Sequence, residues 1–490
     1  MYDSGVRDDK LALLYNINSH VNVAVKTPVG ITDRKSINNV ITQGDVFAPI
    51  LCSNLVDTFG RECLKEEKYI YSYKGLVDIP PLGMVDDLVC VSTCGHRAAM
   101  MNGFLNYKTS SKKLQFGVNK CKKLHVGHVK QDFRCQDLTV EQWDEVEIID
   151  DDNKYIEEDQ FVGEQKMEEK QEEKYLGDVI STDGRNLKNI QQRVAKGKGI
   201  TNRIFTILEG VPLGRRYFEI GMLLRDSILI SSMLFNSEAW YNITKNELEL
   251  LESIDRMFLR KLLSAPRGTP KEMLYLELGC IPFRDIIREK RLRFLYYILN
   301  QKEDSMMYKF LKCQLENSSK KDWVTTIKQD LKELKMENTN FEEIKSMRKT
   351  SFENLVKERI KENVLVKLTI LKKSHSKVND IGHVALKIQK YLQPNQVKIS
   401  KEESQLIFKL RCRVTNIKAN LKKAFDNIEC DACGEDEETQ EHVLKCNELN
   451  KNDEKKYEYE RLNNGTVSEK LEIAKKFKNN YEKLEKLRNR

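Results

Sequence analysis

Four potential metal ligands occur within the segment CDACGEDEETQEHVLKC. They are Cys430, Cys433, His442 and Cys446, spaced as C-x2-C-x8-H-x3-C, and Gly434 follows the first pair. Three thiolates and one imidazole complete the tetrahedral shell that structural Zn²⁺ requires. Because a closed shell leaves no open coordination position, the spacing predicts a structural or nucleic-acid-binding zinc site rather than a catalytic one.

Two adjacent carboxylates, Asp86 and Asp87, lie between the apolar runs of PPLGMVDDLVCVSTCG, residues 80–95. The pattern predicts a β-hairpin with the aspartates at its tip. One interpretation is a polar turn, because Asp is common in turns. The other is a magnesium site, because Mg²⁺ is held by carboxylates together with substrate phosphates. Taken alone, the pair favours the turn.

Two basic segments carry aromatic side chains among their cations: FRDIIREKRLRF (283–294) and LIFKLRCRVTNIKANLKKAF (406–425). Segments of this composition contact phosphates and can stack on bases. Core packing is the better interpretation for the aromatic residues. The arginines Arg284, Arg288 and Arg291 are predicted to contact nucleic acid.

Charge is unevenly distributed along the 490 residues, whose net charge is +8. Residues 141–173 contain fifteen Asp and Glu and three Lys, so the rest of the chain has a net charge of +20. A basic body of this kind suits a phosphate-rich partner, although a solvated Lys-rich helical surface explains the charge equally well. We interpret the acidic stretch as a flexible insertion.

The chain around the two aspartates predicts mixed strands and helices, which indicates an α+β layer. A helix is predicted over 8–19, followed by a strand in VNVAVK and a turn at TPVG, residues 27–30. A loop then opens a second helix within 42–59. Short strands and turns are predicted from the aspartates to about Cys135.

Beyond residue 173 the pattern is predominantly helical. TKNE (244–247) and TPKE (269–272) have the spacing of capping boxes, and Gly279 follows the second helix. A basic amphipathic helix is predicted over 283–299, and exposed helices and linkers over 301–405. The helix after the first capping box carries one apolar stripe: Leu251, Ile254, Phe258 and Leu262.

The order of these segments resembles that of non-LTR retrotransposon reverse transcriptases, over residues 1–447. QGDVFAPILC is similar to the family's Q-G-x-x-x-(S/A)-P segment at Gln43 and Gly44, and MVDD resembles its aromatic-x-Asp-Asp hairpin. FGVNKCKKLHVG occupies the place of its Lys-bearing strand, with Lys120 at the Lys position. IFKLRCRV and the Cys/His cluster resemble its zinc segment. KYLGDVIST resembles its primer-grip turn, at Tyr175, Leu176 and Gly177.

The resemblance implies RNA-directed DNA polymerisation by two-metal phosphoryl transfer, on an RNA template and with a DNA primer or target DNA. Asp86 would hold two Mg²⁺ ions and Asp87 would support them. Gln43 and Gly44 would line the template and the incoming nucleotide. Lys120 would stabilise charge on the triphosphate.

Two departures from the family pattern leave alternatives open. Met84 stands where the family usually has an aromatic residue. The family's first metal-binding Asp and its fingers would precede Met1, so the resemblance predicts a C-terminal portion with impaired catalysis. One alternative is a zinc-containing nucleic-acid-binding relic or repurposed protein without catalysis, and another is a helical scaffold protein.

The sequence thus predicts an α+β fold: a truncated palm, a mainly α-helical thumb and connector, and a small zinc knuckle. No secretory signal and no apolar run of about 20 residues is found, which predicts an intracellular protein of the nucleus or cytoplasm with reduced thiols. The predicted segments are a partial palm (1–135), an acidic flexible insertion (136–173), the primer-grip turn and thumb (174–300), a charged helical connector (301–405), the CCHC segment (406–447) and a charged helical tail (448–490).

Overall fold

The computed structural model describes most of the chain, and its contacts divide into two compact units. The N-terminal unit comprises Met1–Glu173, Ser181–Gly184 and Lys302–Cys313, and the C-terminal unit Lys174–Ile180, Arg185–Gln301 and Gln314–Arg490. The fold is mixed α+β and predominantly helical, with small two-stranded sheets, which confirms the predicted class. The described residues are 7–19, 21–37, 48–65, 69–93, 95–126, 161–162, 165–317, 319, 321–379, 381–382, 385–393, 399–421, 424–425, 427–451 and 457–488.

Short helices and strands alternate in the N-terminal unit. In chain order they are α1 (Asp8–Ser19), β1 (Val21–Val23), β2 (Lys26–Thr27), β3 (Gly30–Ile31), β4 (Lys35–Ile37), α2 (Ala48–Cys63), β5 (Tyr71–Tyr73), β6 (Val77–Ile79), β7 (Leu82–Met84), β8 (Asp87–Val89), α3 (Gly95–Ser111), β9 (Lys122–Lys123), β10 (Phe161–Val162), β11 (Gln165–Lys166) and β12 (Glu168–Glu169). The pairs β1–β4, β2–β3, β5–β6, β7–β8 and β10–β11 are antiparallel, and β9–β12 is parallel. The predicted first helix and the hairpin at TPVG are confirmed.

The segment after the aspartates differs from the prediction, because it forms helix α3 rather than short strands and turns. Met101 and Leu105 lie one turn apart on this helix and are buried in one cluster with Phe59 and Cys63 of α2. Side chains four residues apart share a helical face, so burial of this pair favours the helix. The helix sequence, GHRAAMMNGFLNYKTSS, mixes apolar and polar residues, so this short apolar face is not evident from the sequence.

The acidic insertion predicted over 136–173 is folded at its C-terminal end. Glu168 pairs with Lys122 in the parallel β9–β12 ladder, and Lys122 Nζ lies 2.6 Å from Glu168 Oε2. Two lysine hydrogen bonds lower the pKa of Glu168 to about 2. The prediction of flexibility is therefore wrong for this end, because opposite charges hold the paired strands together. Residues 127–160 lie outside the described part of the chain.

The remaining chain begins with one hairpin and is then helical. Its elements are β13 (Glu172–Tyr175), β14 (Asp178–Ser181), α4 (Leu187–Gly210), α5 (Tyr217–Leu224), a π-helical turn (Arg225–Ile230), α6 (Ser231–Met233), α7 (Lys245–Leu263), α8 (Lys271–Leu278), α9 (Phe283–Leu299), α10 (Met306–Glu316), α11 (Trp323–Glu333), α12 (Phe341–Ser346), α13 (Lys349–Lys373), α14 (Lys401–Arg411), α15 (Gln440–Lys445), α16 (Arg461–Asn464) and α17 (Val467–Arg488). Among the helices of the described residues, none is both long and apolar enough to cross a bilayer.

The apolar stripe predicted on α7 lies in the core of the C-terminal unit, and all four of its side chains are buried. Phe258 packs against Phe205 of α4 with ring centroids 5.2 Å apart. Gly197 lets α4 approach α7 closely, because a Cβ at this position would lie 2.9 Å from Ile254 Cγ2. The predicted helix over 283–299 is likewise confirmed as α9.

Of the two predicted capping boxes, the one at Thr244 is confirmed and the one at Thr269 is not. Thr244 Oγ1 accepts the Glu247 N–H at 3.2 Å, and Glu247 Oε2 accepts the Thr244 N–H at 2.7 Å. Helix α8 begins without a side-chain cap, and the buried Thr269 hydroxyl has no hydrogen-bond partner among the described residues. Here Glu272 faces His375 at 3.2 Å instead of the N-cap backbone.

The connector and the tail, predicted as exposed or charged helices, also contribute to the core. Along α13 the residues Phe352, Val356, Ile360 and Val364 recur every fourth position and are buried. Tyr296 of α9 stacks on Phe352 with ring centroids 5.3 Å apart. A narrow apolar stripe among many lysines and glutamates is sufficient to pack these helices.

Candidate metal centre and candidate catalytic hairpin

The four predicted zinc ligands converge in the structure. One ligand atom from each of Cys430, Cys433, His442 and Cys446 lies within 4.8 Å of the others. The Cys430 and Cys446 sulfurs are 4.0 Å apart, and Cys433 Sγ is 3.4 Å from His442 Nε2. Tetrahedral zinc bonds of about 2.0–2.3 Å would separate ligand atoms by about 3.6–3.8 Å. The cluster therefore fits a zinc ion, as the spacing predicted.

A tight turn presents the first two ligands. The Gly434 N–H donates to the Cys430 carbonyl at 2.8 Å, and the Cys430 N–H donates to the Asp436 carbonyl at 2.8 Å. Gly434 has a φ of +71°, a backbone conformation that glycine adopts without strain. The glycine after the first cysteine pair is thus a requirement of the turn that brings the two thiols together.

A short capped helix presents the other two ligands. Thr439 accepts the His442 N–H at 3.0 Å and starts α15, which places the imidazole on its first turn. Cys446 follows the last residue of α15, and its N–H donates to the His442 carbonyl at 2.7 Å. The spacing of four residues keeps both ligands on one side of the helix.

The surroundings of two of the four ligands, Cys433 and His442, favour metal binding. Backbone N–H groups of Asp436 and Glu435 lower the pKa of the Cys433 thiol, whereas burial raises that of Cys430 to about 12. The Asp436 carboxylate lies 3.3 Å from His442 Nδ1. Such a carboxylate orients a metal-binding imidazole so that its other nitrogen, here Nε2, faces the metal.

The C-terminal helix α17 holds this segment in place, which sequence reasoning missed. Arg488 donates to the buried carboxylate of Glu438 and, at 2.7 Å, to Asp431. Asn480, fully buried, donates to the Val443 carbonyl of α15 at 2.8 Å. An Asn inside the apolar stripe of α17 was the one signal of this contact available in the sequence.

The two aspartates lie at a two-residue hairpin turn, as predicted. Met84 pairs with Asp87, so that Val85 and Asp86 form the loop between β7 and β8. Both carboxylates are exposed. Val85 has a φ of +59°. A positive φ at the first loop residue is typical of a type II′ turn, where Gly is usual, and it is a genuine outlier for a β-branched residue.

Helix α2 supports this hairpin. The Cys52 thiol donates to the Val85 carbonyl at 3.1 Å. A Cβ on Gly83 would lie only 2.2 Å from Val56 Cγ1, so strand β7 lies directly against the helix. Leu88 packs against the core cluster of the unit, which leaves its strand neighbour Asp87 on the opposite, exposed face.

Of the other residues predicted for the polymerase site, the structure describes Lys120 but not Gln43 and Gly44. Lys120 is exposed and ends a 3₁₀ turn, whereas the predicted strand begins only at Lys122, which corrects the predicted position on a strand. Gln43 and Gly44 lie outside the described residues. Within the described ranges, the Cys/His cluster is the one group of three or more Cys, His, Asp and Glu side chains that could hold a metal.

The predicted primer-grip segment forms the β13–β14 turn. Leu176 and Gly177 have φ values of +46° and +91°, the pattern of a type I′ hairpin. Tyr175 ends the first strand, and Asp178 begins the second. The Asp178 carboxylate accepts a hydrogen bond from Arg193 at 2.6 Å, which ties the turn to α4. The turn is confirmed, and its contact with a primer stays a prediction.

The three arginines predicted to bind nucleic acid form ion pairs inside the C-terminal unit. Arg291 binds both oxygens of Asp330 at 2.7 and 3.0 Å, and Arg288 lies 3.1 Å from the same carboxylate. Both arginines are 7% exposed. Arg284 is exposed and donates to the buried Glu252 carboxylate at 2.6 Å. Arg288 and Arg291 are buried and paired, as buried charges must be, so only Arg284 of the three is exposed. Contact of these arginines with nucleic acid stays a prediction.

No protein-family model matches the chain, and no curated protein matches it significantly. The functional argument therefore depends on the metal centre, the hairpin and the charges around them.

Proposed function

We propose that the chain is an RNA-directed DNA polymerase of the non-LTR retrotransposon type, with Asp86 and Asp87 as its catalytic carboxylates. The observation that carries this proposal is the backbone of Val85, whose φ is +59° at the turn. Strain of this kind costs about 1–3 kcal/mol and concentrates at functional sites. A purely structural turn would be better served by glycine.

The placement of the carboxylates supports the same proposal. Asp86 lies in the loop and Asp87 at the start of β8, both exposed, on a hairpin seated on α2. Exposed adjacent carboxylates can hold Mg²⁺ together with the phosphates of a nucleotide. The bound ion would neutralise charge on the attacking and leaving oxygens of phosphoryl transfer. The hairpin's own contribution is to hold the two carboxylates in a fixed orientation.

The ordered motifs supply the remaining roles in this proposal. Gln43 and Gly44 would line the template and nucleotide, Lys120 the triphosphate, and the turn at Leu176 the primer. The RNA template and a DNA primer or target DNA are the partners. Because the described residues bring no third metal ligand to Asp86 and Asp87, we expect slow catalysis.

Primer extension on an RNA template tests the proposal. Wild-type protein is compared with Asp86→Asn and Asp87→Asn, and with Asp78→Asn as a matched control at the exposed position of strand β6 in the same unit. We expect slow extension by the wild type and the control, and none by the other two. Mn²⁺ binding measured by paramagnetic resonance gives a second readout, which should be lost with Asp86→Asn. Equal extension by all four proteins contradicts the proposal.

A second candidate is a zinc-containing nucleic-acid-binding protein without catalysis. The convergence of the Cys/His cluster favours it, because this site is complete whereas the aspartate pair has no third described ligand. The same assay separates the two candidates. A wild type that binds RNA–DNA duplex but extends primers no better than Asp86→Asn supports the second.

A further inference from the structure

A cationic groove of about 830 Å³ opens on the surface of the C-terminal unit. It lies between the end of α7, the loop 264–267, the end of α14 with the loop after it, and α17. Four of its lining residues are cations, namely Arg260, Lys261, Arg267 and Lys409, and no carboxylate is among the described residues that line it. A cleft lined by one sign of charge attracts ligands of the opposite sign.

These cations differ from the arginines of α9, because none of them forms an ion pair with a described residue. Arg260 Nε is buried without a hydrogen-bond partner. The Lys261 ammonium lies 4.6 Å above the ring of Phe205, and Lys409 Nζ donates to the Ser264 hydroxyl at 3.0 Å. Their charge is therefore left for a ligand to neutralise.

Burial makes the charged forms of two of these cations less favourable. It lowers the pKa of Lys409, and, together with the nearby charge of Arg256, it lowers that of Arg260. The charged forms are thus less favourable in the free protein than in water. A bound anion would offset that cost, because an opposite charge nearby favours the charged form.

An aromatic side chain lies beside the cations. Tyr481 of α17 lines the groove, and its ring stacks on Phe477 with centroids 6.0 Å apart and an interplanar angle of 10°. Phe477 is buried, so the tyrosine ring has a rigid support. Cations that follow a phosphate backbone, with an aromatic ring on which a base stacks, are typical of sites for single-stranded nucleic acid.

We propose that this groove binds a single strand of nucleic acid, with Lys261, Arg267 and Lys409 at its phosphates and Tyr481 against a base. The inference rests on the proposed function for its choice of partner, since the charge pattern alone indicates only that the ligand is a polyanion. It assigns the nucleic-acid contact to a surface other than the α9 arginines, which are neutralised by their own carboxylates.

The test measures binding of a fluorescein-labelled oligo(U) RNA of about 20 nucleotides, longer than one such site. The full chain is used in Mg²⁺-free buffer, so that a failure of catalysis cannot affect the result. The groove variant is Lys261→Gln/Arg267→Gln/Lys409→Gln. Its matched control is Lys349→Gln/Lys357→Gln/Lys361→Gln, which removes the same charge from exposed positions of α13.

We expect the groove variant to lower the slope of log affinity against log salt by about 2, because each phosphate contact on a single strand contributes about 0.7. Between about 50 and 200 mM salt, wild-type affinity should therefore fall about 20-fold more than that of the variant. The control should keep the wild-type slope. Tyr481→Leu should weaken binding about 5-fold or more, and Tyr241→Leu, at an exposed tyrosine outside the groove, should not.

Three outcomes would overturn the inference. The wild type binds no oligo(U), the groove variant binds with the wild-type salt slope, or inorganic phosphate competes as strongly as unlabelled oligo(U). The last result would indicate a site for a single phosphate group. Unchanged thermal unfolding of the groove variant verifies that a loss of binding comes from the groove.

Discussion

Arg488 and Glu438 form an ion pair that joins the last helix of the described chain to the zinc-binding segment. Glu438 is fully buried and lies between the two pairs of metal ligands, where it also accepts the Lys418 N–H at 2.9 Å. Arg488 contacts Asp431 as well, at 2.7 Å. The helix predicted as a charged tail is therefore part of the structure that supports the metal centre.

Arg488→Met should destabilise this region strongly. The change leaves Glu438 as a buried charge without its guanidinium partner, which costs about 3 kcal/mol for pairs of this kind. Urea unfolding and the rate of zinc release to a chelator both measure the effect. Lys486→Met, at an exposed position of the same helix, is the control. Equal stability of the two variants would show that the ion pair does not hold the segment.

Purified protein should contain one zinc ion per chain. Cys433→Ser/Cys446→Ser should abolish it, since two of four ligands are removed, and Cys121→Ser should keep it, because Cys121 lies outside the cluster. Metal binding releases thiol protons, so zinc affinity should weaken as the pH falls. Elemental analysis and a chelator competition across pH measure both effects. A zinc content that is unchanged in the double variant contradicts the assignment.

Val85→Gly should cost little or no stability. Glycine adopts a φ of +59° without the strain that valine bears there, which offsets the lost side chain and the greater flexibility of the unfolded chain. Val89→Gly, in the same hairpin at strand β8, should cost about 1 kcal/mol or more. Denaturant unfolding compares the two. If Val85→Gly is the more damaging change, the turn is not strained.

Lys470 should make stability depend on pH. Burial and the charge of Arg411 lower its pKa from 10.5 to about 8 in the folded protein. Between pH 8 and 10.5 the unfolded chain binds more protons at this residue than the folded chain, so stability rises with pH across that window and is lowest, for this group, below pH 8.

Lys470→Met should therefore raise the free energy of unfolding at pH 7 by about 1–2 kcal/mol, after allowance for partial solvent screening. It should also remove the rise above pH 8. Lys478→Met, at an exposed position of α17, should change neither. Thermal melts from pH 7 to about 10.5 measure both, and parallel curves for Lys470→Met and the wild type contradict the assignment.

Features determined by neighbouring residues could be predicted from the sequence. The zinc ligands depend on a glycine turn and a capped helix within one segment, and the Asp86 hairpin depends on apolar runs on either side of a two-residue loop. The capping box at Thr244 involves a partner three residues away. Such interactions are short-range, so residue type and spacing are sufficient to specify them.

Features determined by distant residues could not be predicted in this way. Arg291 is neutralised by Asp330, thirty-nine positions away, and the capping box expected at Thr269 is replaced by a contact between Glu272 and His375. In the cationic groove, by contrast, no carboxylate is among the described residues that line it. Sequence alone established where the charges lie. The tertiary structure decided which of them are neutralised. A buried charge is stable only beside an opposite charge, and the fold determines which residues lie side by side.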